Sequence, residues 1–390
     1  MTTLTYPNFF TFLAGLTLGL MTTLLVSLWG AKATVVLVFV LLPAASLVVF
    51  ALPSAVAKLK AVASRLCVWH GLWFLLFTSG LVFRIRDAQS AVDNPLDLMA
   101  LFRFGLVGLV AVLLLSRLTV AGLTWSKFLF RGPVGLLAGY ALLSVTSTIW
   151  SVYPLWTLYK SVEYFIDVAL IAAIVASLRT PEDFKSFFDM TWLMLIALVG
   201  TVWLGVLIWR GDALIHEVGF MGVQLRGVLP AVDSNGLAEI CAILIVVAFL
   251  RFVFAVRHKA FYVAVMVFTL PAFVLAQGRS GTTGMIVGLI LVLFFAVRAR
   301  FVMLAAAMFG LLLYLTPAAD IFMEFFMRKQ DPKYFASLSG RTDVWAVAWE
   351  AFLQRPLTGF GGYAGARFFG PAVGDQLFKI KTATSSILNT

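Results

Sequence analysis

The chain has 390 residues, of which 62% are hydrophobic and 12% are charged, and its formal net charge is +11. Soluble domains are about 25% charged and 45 to 50% apolar, so this composition excludes an ordinary soluble fold. Because lipid offers no hydrogen bonds to the backbone, long apolar stretches must cross a membrane as helices, and none of them alternates as barrel strands do. We therefore expect an all-α polytopic membrane protein.

Apolar windows separated by short interruptions predict about eleven transmembrane helices. The amino terminus lacks the Lys or Arg of a cleavable signal peptide, so its apolar stretch is predicted to be the first span. The predicted spans are residues 9–29, 34–57, 66–83, 104–123, 132–152, 157–177, 188–209, 235–254, 260–277, 281–298 and 301–317.

The basic residues predict the orientation. With a cytoplasmic amino terminus, the inner connections carry more Lys and Arg than the short outer ones, which is the usual bias. The chain then divides into a transmembrane helical bundle, residues 1–317, and a large helical periplasmic loop, residues 318–390. In this loop a helix is predicted over residues 342–354, ended by Pro356, and its aromatic side chains should need a covering surface.

Polar motifs collect at the predicted outer ends of the spans. They are Arg226-Gly227-Val228 and Asp233-Ser234-Asn235 before the span at 235–254, the turn Gln277-Gly278-Arg279-Ser280-Gly281, the loop segments Ser339-Gly340-Arg341-Thr342 with Trp345 and Pro356-Leu357-Thr358-Gly359-Phe360-Gly361, and the turn Trp150-Ser151-Val152-Tyr153-Pro154 followed by Lys160 and Glu163.

In this order and placement, the motifs resemble those of the bacterial O-antigen ligase and polysaccharide polymerase superfamily over roughly residues 130–390. The Gly340-Arg341 pair with Pro356–Gly361 is the most specific part. The resemblance implies a GT-C-like inner-membrane glycosyltransferase of O-antigen or exopolysaccharide synthesis. Such an enzyme moves an oligosaccharide from a polyprenyl-pyrophosphate carrier to an acceptor hydroxyl on the periplasmic side, without a metal or cofactor. The implied partners are the lipid-linked oligosaccharide, membrane lipids and other polysaccharide export components, and nucleic acid is not among them.

Three arginines, Arg226, Arg279 and Arg341, are the candidate catalytic residues. Breaking the bond from anomeric carbon to phosphate develops negative charge on the pyrophosphate, which a metal-free site must stabilise with preorganised cations. Arginine contacts two phosphate oxygens at once and stays protonated. Simpler roles are lipid phosphate contact for Arg279, a salt bridge with Asp212 or Glu217 for Arg226, and a contact with Asp343 for Arg341.

Six further residues are candidate substrate-binding groups: Asp233, Asn235, Lys160, Glu163, Arg84 and Trp345. Asp233 and Asn235 could orient an arginine or receive the acceptor proton, or they could simply cap the following helix. Arg84, like its neighbours Arg86 and Arg103, could guide the carrier phosphates, although we expect a solvated interfacial role for these arginines.

Acidic residues inside the spans support a second interpretation, a transporter of lipid-linked sugars. Glu163 and Asp167 lie four residues apart on one face of a predicted span, and Glu239 lies near the top of another. Intramembrane acids recur in proton-coupled carriers. We prefer the alternative that these acids neutralise Arg279 and Lys160.

The family pattern is incomplete in the last residues. Ligases of the family usually carry a His-Asn pair late in the outer loop, but here Leu388 precedes Asn389. This favours a polymerase or another transferase over a ligase, and it leaves open a non-catalytic component of polysaccharide assembly. The family also has further spans after the loop, so the chain is expected to be truncated before them.

Overall fold

A computed structural model of the protein describes residues 42–81, 98–121, 129–216, 222–254, 259–296, 327 and 341–364. Contacts divide the chain into two compact units, residues 1–65 with 188–329 and residues 66–187 with 330–390. The predicted spans 9–29 and 301–317, the side chains of Arg84 and Arg86, and the Leu388-Asn389 pair lie outside the described residues.

The described residues are mostly helical. The helices are α1 Leu42–Ala63, α2 Val68–Ser79, α3 Leu98–Ala121, α4 Gly132–Thr146, α5 Pro154–Ser177, α6 Pro181–Ile208, the short α7 Arg210–Ala213, α8 Ser234–Phe254, α9 Lys259–Ala276, α10 Arg279–Ala296 and α11 Arg341–Gln354. A 3-10 turn, Ser147–Trp150, extends α4. Every predicted span between residues 34 and 298 overlaps one of these helices.

Within the described ranges, four helical segments are long and apolar enough to cross a membrane: Gly132–Trp150, α6, α8 and α9. A fifth candidate arises when Leu52–Ala63 and Val68–Ser79 are taken together. Helix α5 contains Lys160, Glu163 and Asp167, which interrupt its apolar stretch. The protein is therefore a multi-pass helical membrane protein, and the count of eleven spans stays a prediction.

The first unit is built around α8, which packs against α9 and α10. Leu237, Ala238, Cys241 and Leu244 on α8 are fully buried. The small side chain of Ala238 lets the neighbouring backbone approach closely, which is how helices associate where the solvent is itself apolar. The helices on either side of α8 are thereby held at short distances from it.

The structure is mostly helical, as expected, and it departs from the predicted all-α class in the connection between α6 and α8. Strand β1, Leu214–His216, pairs with β2, Val223–Leu225, and β3, Gly227–Val228, pairs with β4, Ala231–Val232, both antiparallel. The physical reason is that this connection is buried in part, and its main-chain groups need partners that no helix supplies. Leu225, for example, is fully buried.

The second unit is built around α5, which packs against α2, α3 and α4. At the start of α2, the imidazole Nδ1 of His70 accepts a hydrogen bond from the backbone N–H of Cys67 at 3.3 Å. The other ring nitrogen lies 3.1 Å from the hydroxyl of Ser186, and the ring stacks on Phe187 with centroids 3.8 Å apart. These contacts fix α2 against the first turns of α6.

Candidate functional site

The turn between α9 and α10 is held against α8 by two glycines. A Cβ atom on Gly278 would lie 2.2 Å from the Cβ of Ala238, and one on Gly281 would lie 2.7 Å from the carbonyl carbon of Ala238. Distances this short are incompatible with van der Waals packing, so only glycine fits at both positions. Arg279, which lies between the glycines and is the first residue of α10, is therefore fixed next to α8.

Two buried glutamines tie the same turn to strand β2. The side-chain amide of Gln277 donates to the carbonyl oxygen of Val223 at 2.7 Å, and that of Gln224 donates to the carbonyl oxygen of Ala276 at 3.0 Å. Gln277 also has a φ of +54°. The sequence reasoning gave these glutamines no role, although a glutamine at the end of an apolar span was a usable signal, because a buried amide needs partners.

Arg279 is partly buried, and its Nη2 atom lies 3.4 Å from the carbonyl oxygen of Met327. The hydroxyl of the next residue, Ser280, donates to the Glu239 carboxylate at 2.8 Å. Glu239 was predicted to neutralise Arg279, and the contact observed for its carboxylate is with Ser280. Two neighbouring residues of α10 thus carry a guanidinium and a hydroxyl, and the hydroxyl binds the Glu239 carboxylate of α8.

Arg226 lies between the two hairpins. Its backbone N–H donates to the carbonyl oxygen of Ala213 at 3.0 Å, and its Nε donates to the carbonyl oxygen of Asp212 at 2.6 Å. The sequence reasoning offered a salt bridge with Asp212 as the simpler role, whereas the partner observed is the main-chain oxygen of that residue. A main-chain oxygen leaves the positive charge of Arg226 available to an anion.

Asp233 caps helix α8. Its Oδ1 accepts the backbone N–H of Gly236 at 3.2 Å, and its carbonyl oxygen accepts the N–H of Leu237 at 2.9 Å. The capping alternative is therefore observed for Asp233. Asn235 is an exposed residue in the first turn of the same helix, and its backbone lies beside Gly278.

In the second unit, a buried carboxylate on α5 holds two cations. Glu163 contacts the Arg103 Nε at 2.6 Å and the Lys160 Nζ at 2.7 Å. The expected pairing of Glu163 with Lys160 is confirmed. The expectation that Arg103 is merely solvated at the interface is wrong, because a buried carboxylate needs compensating charge and Arg103 supplies it from α3.

Aromatic rings and a further acid surround this ion cluster. The Lys160 Nζ lies 4.8 Å from the ring centroid of Tyr159 and 5.5 Å from that of Trp156, distances typical of cation–π contacts. One turn further along α5, the Oδ1 atom of Asp167 is buried and has no hydrogen-bond partner among the described residues. Glu163 is therefore paired, whereas Asp167 is not fully satisfied.

The segment Pro356–Gly361 docks on the turn between α4 and α5. The indole N–H of Trp150 donates to the carbonyl oxygen of Thr358 at 2.6 Å, and the backbone N–H of Val152 donates to that of Phe360 at 3.1 Å. The segment Pro356–Gly361, which carries part of the family resemblance, therefore contacts the Trp150–Pro154 turn directly.

Glycines permit this docking. Gly361 has a φ of +102°, and a Cβ atom there would lie 2.3 Å from the Ser151 hydroxyl oxygen. The next backbone N–H, that of Gly362, donates to the Ser147 hydroxyl at 2.8 Å.

Helix α11 begins at Arg341 and ends at Gln354, which confirms the helix predicted from the sequence. Trp345 exposes 58% of its surface on this helix. The structure describes the backbone of Arg341 but not its side chain. Arg226 and Arg279 belong to the first unit and Arg341 to the second, and the meeting of the three guanidinium groups in one cavity stays a prediction.

Comparison with known proteins agrees with this arrangement of motifs. Residues 264–384 match the family model described as O-antigen ligase. The matched stretch contains the turn at Gly278–Gly281, the start of α11 and the docked segment Pro356–Gly361. No curated protein and no solved structure matches the chain.

The helices define a multi-pass membrane protein, and the family match supports its assignment to polysaccharide assembly in general terms. The resemblance to the O-antigen ligase and Wzy-like family is confirmed for the part of the chain that the family model covers.

Proposed function

We propose that this protein is an inner-membrane glycosyltransferase that transfers or polymerises oligosaccharide from a polyprenyl-pyrophosphate carrier to an acceptor hydroxyl. The reaction takes place on the periplasmic side, in O-antigen or exopolysaccharide synthesis, and needs no metal. Arg226, Arg279 and Arg341 stabilise the departing pyrophosphate. The family match over residues 264–384 supports this proposal, because it includes two of these three arginines.

The single observation that carries the proposal is the position of Arg279. The glycines on either side of it pack on Ala238 so closely that the guanidinium is attached to a turn with little freedom to move. Arg279 also begins α10, where backbone N–H groups that lack helical partners favour an anion. A fixed cation beside such N–H groups is the preorganised arrangement that a developing phosphate charge requires.

Lys160 and Glu163 act in this proposal as substrate-binding groups, with Arg103 added to them. The two carboxylate oxygens of Glu163 are each bound to a cation, Oε1 to Arg103 and Oε2 to Lys160, so neither is free to take the proton of the attacking hydroxyl. Its role is to orient Lys160 and Arg103 toward the phosphates of the carrier. Asp233 is engaged as a helix cap, and an oxygen of the departing phosphate accepts the proton in this proposal.

The test is polymer formation from purified lipid-linked oligosaccharide by the full chain in liposomes. Arg279→Ala and Arg341→Ala should abolish the product, and Arg279→Lys should restore little, because an ammonium cannot contact two phosphate oxygens in the manner of a guanidinium. Lys185→Ala, which removes an exposed cation on α6, is the matched control and should behave as the wild type. Normal product from both alanine variants would overturn the proposal.

A second candidate function, transport of lipid-linked sugars, is favoured by one observation. The buried Oδ1 of Asp167 has no partner among the described residues, and an acid of this kind inside a membrane protein can carry a proton. Movement of labelled carrier across liposomes without a new glycosidic bond, lost in Asp167→Asn, would support this candidate. Product formation that is unaffected by Asp167→Asn would argue against it.

A further inference from the structure

Helix α11 presents an apolar stripe that the described protein leaves uncovered. Trp345, Trp349, Phe352 and Leu353 follow the spacing i, i+4, i+7 and i+8, which places them on one side of the helix. Their exposed fractions are 58%, 61%, 47% and 60%. By contrast, Ala351 is buried at 4%, so the helix has one side against the protein and another side without cover.

The docked segment places the end of this helix near the end of a membrane span. Gly132–Trp150 is apolar enough to cross a membrane, and Trp150, its last residue, donates a hydrogen bond to Thr358. Gln354, the last residue of α11, is four residues before Thr358, so their Cα atoms are at most about 14 Å apart. Helix α11 therefore ends close to the membrane surface at which this span ends.

The uncovered apolar surface continues from the span to the docked segment. Along α4, Leu136 and Leu143 are exposed at 78% and 61%, as expected for side chains that face lipid. At the tip, Ile149, Leu155 and Leu357 are exposed at 86%, 83% and 98%. Leu357 adjoins Thr358, whose carbonyl is bound to Trp150, so lipid-facing surface and loop surface meet at this point.

We propose that the stripe formed by Trp345, Trp349, Phe352 and Leu353, together with Leu357, lies in the lipid interface of the membrane surface at which the span Gly132–Trp150 ends. Tryptophan favours this environment, since its ring is apolar and its N–H still finds polar partners there. A helix that is apolar on one side and carries Glu350 and Gln354 away from the stripe suits the plane of the headgroups.

The test uses the full chain, with its cysteines changed to Cys67→Ser and Cys241→Ala, in phosphatidylethanolamine–phosphatidylglycerol vesicles. Single cysteines at Trp345, Trp349, Leu353 and Leu357 carry nitroxide labels, and Glu350→Cys and Gln354→Cys are the matched controls on the same segment. Collisions with oxygen, which concentrates in lipid, are compared with collisions with a water-soluble nickel chelate. The stripe labels should shift toward oxygen, and the control labels should collide with nickel.

A second measurement uses substitutions that keep aromatic side chains in the stripe. The fluorescence lost in a variant with Trp345→Phe and Trp349→Phe belongs to these two tryptophans, and lipids brominated near the headgroup should quench it strongly in the wild type. Nickel access at the stripe equal to that at the controls would overturn the proposal. Protection of the stripe from both reagents, with no quenching by brominated lipid, would overturn it as well and indicate a protein partner or a second copy of the chain.

Discussion

Trp150 donates its indole N–H to the carbonyl oxygen of Thr358, 208 residues further along the chain, at a distance of 2.6 Å. Trp150→Phe keeps an aromatic ring and removes the donor. We expect a loss of about 1 kcal/mol in the stability of the docked segment, the usual contribution of one hydrogen bond. The rate of protease cleavage near residues 355–364, compared between Trp150→Phe and the wild type in detergent, measures this loss, and we expect faster cleavage of the variant. Trp209→Phe, a change at a half-exposed tryptophan, is the control, and equal cleavage of both variants would contradict the prediction.

Gly361 should tolerate no side chain. Its φ of +102° is unfavourable for alanine, and the added Cβ would lie 2.3 Å from the Ser151 hydroxyl. We expect Gly361→Ala to release the docked segment, with a cost of more than about 1 kcal/mol. Gly359 has a φ of +63°, and a Cβ atom added there would have no neighbouring atom within 4 Å, so Gly359→Asn is the matched control. Similar protease sensitivity in the two variants would argue against this account.

The turn before α10 allows a test by compensation. Gly278→Ala would bring its Cβ to 2.2 Å from the Cβ of Ala238, and Gly281→Ala would bring its Cβ to 2.7 Å from the backbone of Ala238. Adding Ala238→Gly removes the first clash but not the second. We therefore expect Ala238→Gly to restore thermal stability to Gly278→Ala and to restore little of it to Gly281→Ala.

The control for this series is Gly284→Ala, because no atom lies within 4 Å of the added Cβ. Alanine is also the better helix former, so this variant should be as stable as the wild type or slightly more stable. Thermal unfolding in detergent compares all five variants. If Ala238→Gly restores the thermal stability of both glycine variants, or of neither, the two glycines do not pack on different atoms of Ala238 as the structure shows.

Glu163 should matter more for stability than either of its partners. Glu163→Gln leaves Arg103 and Lys160 without their carboxylate. Removing one member of a buried ion pair costs about 3 to 5 kcal/mol, and less here because Arg103 exposes 33% of its side chain and Lys160 20%. We expect a loss of about 2 kcal/mol, and a smaller one for Arg103→Gln, since Lys160 still neutralises Glu163.

A double-mutant cycle over Glu163 and Arg103 measures this coupling by chemical unfolding in detergent. The expected result is that Arg103→Gln has little further effect once Glu163→Gln is present. If the two losses are simply additive, the ion pair between α3 and α5 contributes nothing, and Arg103 returns to the solvated interfacial role expected from the sequence.

Most of the helices were predictable because they are long apolar stretches, and within a membrane such a stretch satisfies its backbone hydrogen bonds by forming a helix. The aromatic helix α11 was predictable from a local signal, because Pro356 cannot continue a helix and so marks its end. The hairpins between α6 and α8 were not, because their strands are two or three residues long and show no alternation that could be distinguished from a loop.

The candidate site was predictable as motifs but not as contacts. Arg279 and the Trp150 turn could be found because they stand out from the surrounding apolar residues. That Arg103 pairs with Glu163 depends on the packing of α3 against α5, sixty residues away, for which a single sequence gives no signal. The link between Gln277 and Val223 is equally non-local, since it depends on where a short strand lies.

The bond from Trp150 to Thr358 also orders events during biosynthesis. The ribosome must add 208 residues after Trp150 before the partner carbonyl exists, which takes about 10 to 40 s at typical elongation rates. Throughout that delay, the indole N–H of Trp150 lacks the carbonyl partner that it has in the folded protein. The docking of Pro356–Gly361 on the Trp150 turn is therefore a late step of folding, because it cannot begin before that segment has been synthesised.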